Sequence, residues 1–136
     1  MSQYITPEEL KTHAYNEQIN AIIREDETIA LACIDIAIEY AESKLSKDYD
    51  TEELFSKRGD ARSDLLMQYL KDIAIWELIG LSNPSIDYKD KKYRYERAVS
   101  WLDDVYNGMP ASFPRKKTNE SSSFKMTSNP KRQNYY

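Results

Sequence analysis

Apolar residues recur every three or four positions in three long stretches of the chain, which is the spacing that places side chains on one face of an α-helix. The first stretch lies within residues 24–49, the second runs from Arg62 to Leu81, and the third covers residues 88–106. The pattern predicts three long helices. Their inward faces comprise Ala30, Cys33, Ala37, Tyr40, Ala41 and Leu45; Leu66, Tyr69, Leu70, Ile73, Trp76 and Ile79; and Tyr88, Tyr95, Ala98, Val99, Leu102, Val105 and Tyr106.

The first long stretch is apolar over more than one face. Ile29, Ile34, Ile36 and Ile38 extend the apolar arc well beyond a single stripe. A helix that is apolar around so much of its circumference contacts neighbours on several sides. Within one small domain this indicates a second contact, with another subunit.

Residues at the helix starts support this assignment. Thr6 and Glu9 are spaced as a capping box requires, and Pro7 suits the first position of a short helix. A second short helical piece is predicted within residues 15–23. An acid at or near Asp26 opens the first long helix, where the positive end of the helix dipole favours it.

Breaker residues mark the later boundaries. Pro84 ends the second long helix because the residue before a proline disfavours the helical conformation. Ser85 or Asp87 is expected to cap the third long helix, and Gly108 followed by Pro110 ends it. A possible single turn lies at residues 51–55.

The fold predicted is all-α. It is a small antiparallel helical bundle with three long helices and one or two short ones, followed by an extended C-terminal arm. The domain boundary is placed after Pro114, so that residues 1–114 form the helical domain and residues 115–136 form a basic arm.

Charge separates the same two segments. Residues 1–114 carry 13 Lys and Arg against 22 Asp and Glu, a net of −9, whereas residues 115–136 carry six basic residues against Glu120, a net of +5. The single cysteine excludes an intramolecular disulfide and suits a reducing cytoplasm. No signal peptide and no membrane span are predicted, so no membrane contact is expected.

No residue is a strong candidate for catalysis or metal binding. His13 is the only histidine and has no motif around it, so a structural or surface role is expected. Cys33 lies mid-helix among apolar residues and is expected to be inert. The alternating acids of residues 48–53 begin like a calcium loop, but Glu53 stands where the EF-hand needs glycine. No catalytic, cofactor-binding or metal-binding residue is assigned, and the chain is not expected to be an enzyme.

Basic residues alternate with aromatic ones in residues 89–97, a mixture that can bind single-stranded nucleic acid. On a helix, however, Tyr88, Tyr95 and Val99 face inward and the lysines outward. An ordinary helix is therefore the favoured interpretation.

The arm has the polar composition of a segment without its own core. Phe124 and Met126 alternate with polar residues, which gives an extended segment one apolar face suited to strand addition on a partner's sheet edge. A solubilising tail is the alternative. The partner-binding residues predicted for the arm are Arg115, Lys116, Lys117, Phe124, Met126, Lys131, Arg132, Tyr135 and Tyr136.

The order of short motifs resembles one known family. "YITPEEL" at the N-terminus, a long helix after "REDE", "DIAIWEL" in the second long helix and "YRYERAVSWLDDVYNG" in the last resemble the head–tail adaptor proteins of tailed phages, also called connector or head-completion proteins. The resemblance covers about residues 4–108.

This resemblance implies a structural subunit without catalytic residues. Such a subunit forms a ring, typically dodecameric, between the portal protein and the tail or stopper proteins of the virion neck, after assembly in the cytoplasm of the bacterial host. Its C-terminal arm would dock on the portal or on a neighbouring subunit. DNA would pass through without specific binding, which suits an acidic body. The alternatives are a helical nucleic-acid-binding module that uses the basic arm, and an enzyme of unrecognised type.

Overall fold

The computed structural model describes residues 3–14 and 16–117. Within them, six α-helices follow one another along the chain: α1 Pro7–Ala14, α2 Glu17–Glu25, α3 Glu27–Leu45, α4 Thr51–Ser56, α5 Asp64–Ser82 and α6 Lys89–Tyr106. A single 3-10 turn, Gly59–Ala61, precedes α5. The predicted all-α helical bundle is confirmed. Three short helices accompany the three long ones, rather than one or two, because residues 51–56 form a complete short helix.

Local sequence explains the helix starts. The Thr6 hydroxyl accepts from the Glu9 amide and the Glu9 carboxylate accepts from the Thr6 amide, which forms the predicted capping box. The Asp26 side chain accepts from the Thr28 amide at the start of α3, as predicted. Ser63 caps α5 by accepting from the Leu66 amide.

The helix ends also follow from the sequence. Asn83 ends α5 in the left-handed conformation with φ 47°, one residue before Pro84. Gly108, two residues after the last helical residue of α6, has φ 116°, a conformation that side chains disfavour. The first residue of α6 is Lys89, and Tyr88 takes the N-cap position without a side-chain cap. The predicted cap Asp87 lies one residue earlier, where its carboxylate accepts from the Lys89 amide.

The core lies where α3, α5 and α6 pack against one another. The buried face of α3 combines small side chains at Ala30, Cys33, Ala37 and Ala41 with Ile34 and Leu45, all of them fully buried. Small residues in a row allow neighbouring helices to approach closely, and α5 fills the space with Leu66, Leu70, Ile73 and Leu78. The helix α1 packs against α5 and also contacts α2 and α3.

Candidate functional site

The structure describes three of the predicted arm residues, Arg115, Lys116 and Lys117, all of which are exposed. The remaining ones, Phe124, Met126, Lys131, Arg132, Tyr135 and Tyr136, lie outside the described residues. Residues 3–14 and 16–117 contain no strand beyond one isolated bridge.

That bridge joins the first arm residue to the body. Arg115 pairs with Tyr49 in an antiparallel bridge. The Asp50 amide donates to the Pro114 carbonyl at 2.8 Å, and the Lys116 amide donates to the Asp48 carbonyl at 3.2 Å. The paired segment therefore extends two residues past the predicted boundary after Pro114.

The Arg115 side chain reinforces the pairing. Its guanidinium lies over the Tyr49 ring, 5.1 Å from the ring centroid, in a cation–π contact. The hydroxyl of Tyr49, which is buried, accepts from the Ala111 amide at 2.9 Å. Tyr49 thus holds both the start of the arm and the segment that precedes it.

A groove opens where this segment crosses the bundle. It is lined by Ser63, Leu65, Trp101, Pro110, Ala111, Ser112 and Phe113, and we call it the Trp101 groove. Its volume is about 350 Å³, at the lower end of the range for ligand pockets in proteins. The Trp101 and Phe113 rings meet edge to face with centroids 6.1 Å apart. Leu65 is 45% exposed on its wall, so apolar surface is left uncovered.

A second apolar surface lies on the side of α3 that faces away from the core. Leu31 and Ile36 are 38% and 43% exposed there. Ala32, Asp35 and Glu39 are exposed on the same arc, and we call these five residues the α3 outer face. The Asp35 carboxylate accepts from the Gln3 side chain. The outer face is therefore apolar with acidic residues interspersed.

One acidic side chain is buried in the bundle. Asp72 on α5 is 2% exposed and is the one buried charged residue among those described. Its carboxylate accepts from His13 Nε2 at 2.7 Å and from Arg97 Nη2 at 3.4 Å. Because a carboxylate only accepts, the ring hydrogen of His13 sits on Nε2. The cluster connects α1, α5 and α6.

The surroundings of this cluster suit a structural role. The cavity beside Asp72 measures about 10 Å³, which is room for one water molecule and not for a substrate. The expected structural role of His13 agrees with this geometry. Asp72 itself was not singled out from the sequence, although an acid inside the apolar run of residues 70–75 was an available signal.

Other ionisable groups are tied into the fold as well. Burial raises the pKa of the Cys33 thiol to about 11, which keeps it protonated and unreactive at neutral pH. The Arg62 guanidinium binds the Glu9 carboxylate through two nitrogens at 2.9 and 2.8 Å and holds the pKa of Glu9 below its usual value. Within the described ranges no three His, Cys, Asp or Glu residues converge as a metal ion would require.

In the part of the chain that the structure describes, no helix combines the length and the apolar character needed to cross a membrane.

No family model, no curated protein and no solved structure matches this chain. A functional interpretation therefore depends on the sequence motifs and on three structural features: the α3 outer face, the Trp101 groove and the bridged start of the arm.

Proposed function

We propose that the chain is a structural head–tail adaptor subunit, which forms a ring beneath a phage portal in the neck of the virion. The ring joins the capsid to the tail or stopper proteins and continues the DNA channel. The arm docks on the portal or on a neighbouring subunit. Assembly takes place in the cytoplasm of the bacterial host. The order of the short sequence motifs is the reason for proposing this family, and the exposed surfaces of the bundle support the proposal.

The observation that carries the proposal is the α3 outer face. Its side chains Leu31 and Ile36 stay well exposed although α3 is the central helix of the first half of the chain. Large apolar side chains left exposed on one arc of a helix are a feature of interaction sites. In a closed ring each copy presents one surface to the next copy and a different surface to the previous one. The α3 outer face is one side of such a contact.

Charge supports a channel function. The segment 1–114 has a net charge of −9, which a ring repeats in every copy. Duplex DNA binds proteins mainly through its phosphates, so a ring of acidic bodies offers it few attachment points. DNA can then slide through the ring without being held.

The test compares Ile36→Lys with a matched control, Leu81→Lys, on another helix. Leu81 is 63% exposed and its substitution leaves the α3 outer face intact. Both variants should fold with unchanged helical circular dichroism, because both side chains are exposed. The wild type and Leu81→Lys should assemble on the portal rings of the same phage, and Ile36→Lys should not, as judged by electron microscopy and sedimentation.

Two results would contradict the proposal. One is a wild-type protein that neither binds portal rings nor oligomerises in their presence. The other is duplex-DNA binding of micromolar affinity or tighter that falls steeply with salt and disappears on truncation after Lys117. DNA binding of this kind favours the nucleic-acid-binding module. The truncation is placed after Lys117 because it then leaves the Tyr49–Arg115 bridge in place.

A further inference from the structure

The helix α6 also has an exposed face on the side that points away from the core. It comprises Lys89, Lys92, Tyr93, Glu96 and Ser100, all of them exposed, and we call it the α6 outer face. We infer that this face binds the α3 outer face of a second copy of this chain. The inference rests on the proposed function, in which the α3 outer face forms one side of a contact between neighbours, and it names the other side.

Charge distinguishes the α6 outer face from the rest of the body. Residues 88–97 carry five Lys and Arg against two Asp and Glu, a net of +3, within a helical domain whose net charge is −9. Part of this positive charge is neutralised inside the chain, because Arg94 and Arg97 pair with acidic side chains. Among the described residues, no acidic side chain pairs with Lys89 or Lys92. These two lysines are therefore available to an acidic partner.

The centre of the α6 outer face is aromatic. Tyr93 is 62% exposed and lies one helical turn from Lys89. A tyrosine combines an apolar ring with a polar hydroxyl and is enriched where protein surfaces meet. The face thus presents one large apolar side chain beside two unpaired lysines.

The α3 outer face has the complementary properties. Residues 25–43 contain six Asp and Glu and no Lys or Arg. Two of these acids, Asp35 and Glu39, lie on the face itself, together with the exposed side chains of Leu31 and Ile36. Burial of apolar surface and attraction between opposite charges both favour contact between the two faces. Because this acidic surface is present on the chain itself, a second copy is the partner that fits.

The arrangement of the helices directs the contact to another copy. The helices α3 and α6 pack against each other and against α5, so their outer faces both point away from the core and cannot meet within one chain. A contact between two unlike surfaces is heterologous, and its repetition joins copies head to tail into a ring when the rotation closes. The proposed ring requires a contact of this kind.

Zero-length cross-linking of the full-length protein tests the inference. A carbodiimide joins a lysine amine to a carboxylate only where the two groups meet. Unlabelled chains are mixed with chains labelled by a nitrogen isotope, so that mass spectrometry separates links between copies from links within one copy. We expect links from Lys89 or Lys92 to Asp35 or Glu39 between differently labelled chains, on portal rings and in concentrated solution. If such links are absent from both samples, or occur only within single copies, the inference is wrong.

Charge reversal tests the same contact by assembly. Lys89→Glu combined with Lys92→Glu places like charges against each other and should reduce assembly on portal rings about tenfold or more. Adding Asp35→Lys and Glu39→Lys to the same chain makes the charges opposite again and should restore assembly, as judged by electron microscopy and sedimentation.

The matched control adds Glu52→Lys and Asp60→Lys to the double lysine variant instead. Both acids are exposed and lie outside the two faces, so the control has the net charge of the rescued variant without its complementary faces. It should fold with unchanged helical circular dichroism and fail to assemble. Rescue by both acid pairs, or by neither, would contradict the pairing of the two faces.

The outcomes also separate this inference from the proposed function. Links between the two faces in solution, without any portal binding, would keep the inference and remove the proposed function. Portal rings that carry no such links, and that the double lysine variant joins normally, would do the reverse. Single-stranded DNA is the other ligand that basic and aromatic residues can bind. DNA binding that the double lysine variant abolishes, with assembly unchanged, would overturn the inference and assign the α6 outer face to nucleic acid.

Discussion

Replacing Asp72 by alanine should destabilise the bundle. The side chain is 1% exposed and accepts from His13 at 2.7 Å and from Arg97 at 3.4 Å. The Arg97 Nε is already buried without a hydrogen-bond partner, so the loss of Asp72 leaves that side chain with a further unsatisfied donor.

The expected loss in the free energy of unfolding depends on how exposed the two partners of Asp72, His13 and Arg97, are. Breaking a fully buried ion pair costs about 3–5 kcal/mol, and losing a hydrogen bond to a charged group costs about 1.5–3 kcal/mol. His13 is 17% exposed and Arg97 is 37% exposed, so both can recover some hydration. We therefore expect Asp72→Ala to lower the free energy of unfolding by about 2–3 kcal/mol. Asp72→Asn, which keeps the shape and one acceptor, should cost about half as much.

Urea unfolding followed by circular dichroism measures these values, and an unchanged m-value shows that the same surface is still exposed on unfolding. A double-mutant cycle with His13→Ala should give an interaction energy of about 1–2 kcal/mol, since most of the loss belongs to the shorter contact. A cost of Asp72→Ala below about 0.5 kcal/mol, or an interaction energy of zero, would refute the role given to this cluster.

Three further predictions concern contacts elsewhere. Because Arg62 lowers the pKa of Glu9 in the folded state, the ion pair stabilises the fold at pH values above the ordinary carboxylate pKa. This stabilisation is lost as the pH falls through the lowered pKa of Glu9. Glu9→Gln should therefore flatten the acid side of the pH–stability curve relative to the wild type. Tyr49→Phe removes the acceptor of the Ala111 amide and should cost about 1 kcal/mol in thermal or urea unfolding, with Tyr40→Phe as the control. The buried Cys33 should react with a thiol reagent at neutral pH only as fast as the protein unfolds, and rapid labelling of the native state would contradict its burial.

Much of the fold could be predicted because its signals are local. A capping box needs only Thr6 and Glu9, and an N-cap needs only Asp26 and the two residues after it. The helical periodicity of α3, α5 and α6 is likewise contained within each segment. Short-range chemistry of this kind is unaffected by the way the helices later pack.

The surfaces could not be predicted, because they depend on residues far apart in the sequence. His13 and Asp72 are 59 positions apart, and nothing near either of them shows that they meet. The Trp101 groove exists because residues 110–113 fold back across the bundle, and Tyr49 holds them there from 62 positions away. The broad apolar character of α3 did indicate a second contact, but which of its residues remain outside became clear only from the packing.

The bridge at Tyr49 has a mechanical consequence. Any tension applied through residue 117 reaches the body first at the Lys116–Asp48 hydrogen bond and then at the Asp50–Pro114 bond. Each contributes only about 0.5–1.5 kcal/mol, so a pull that peels the segment would open them one after the other, whereas a pull along the segment would load both together. The angle at which the arm is drawn thus sets the force at which it detaches, and Tyr49, anchored in the core, is the point where that force enters the folded body.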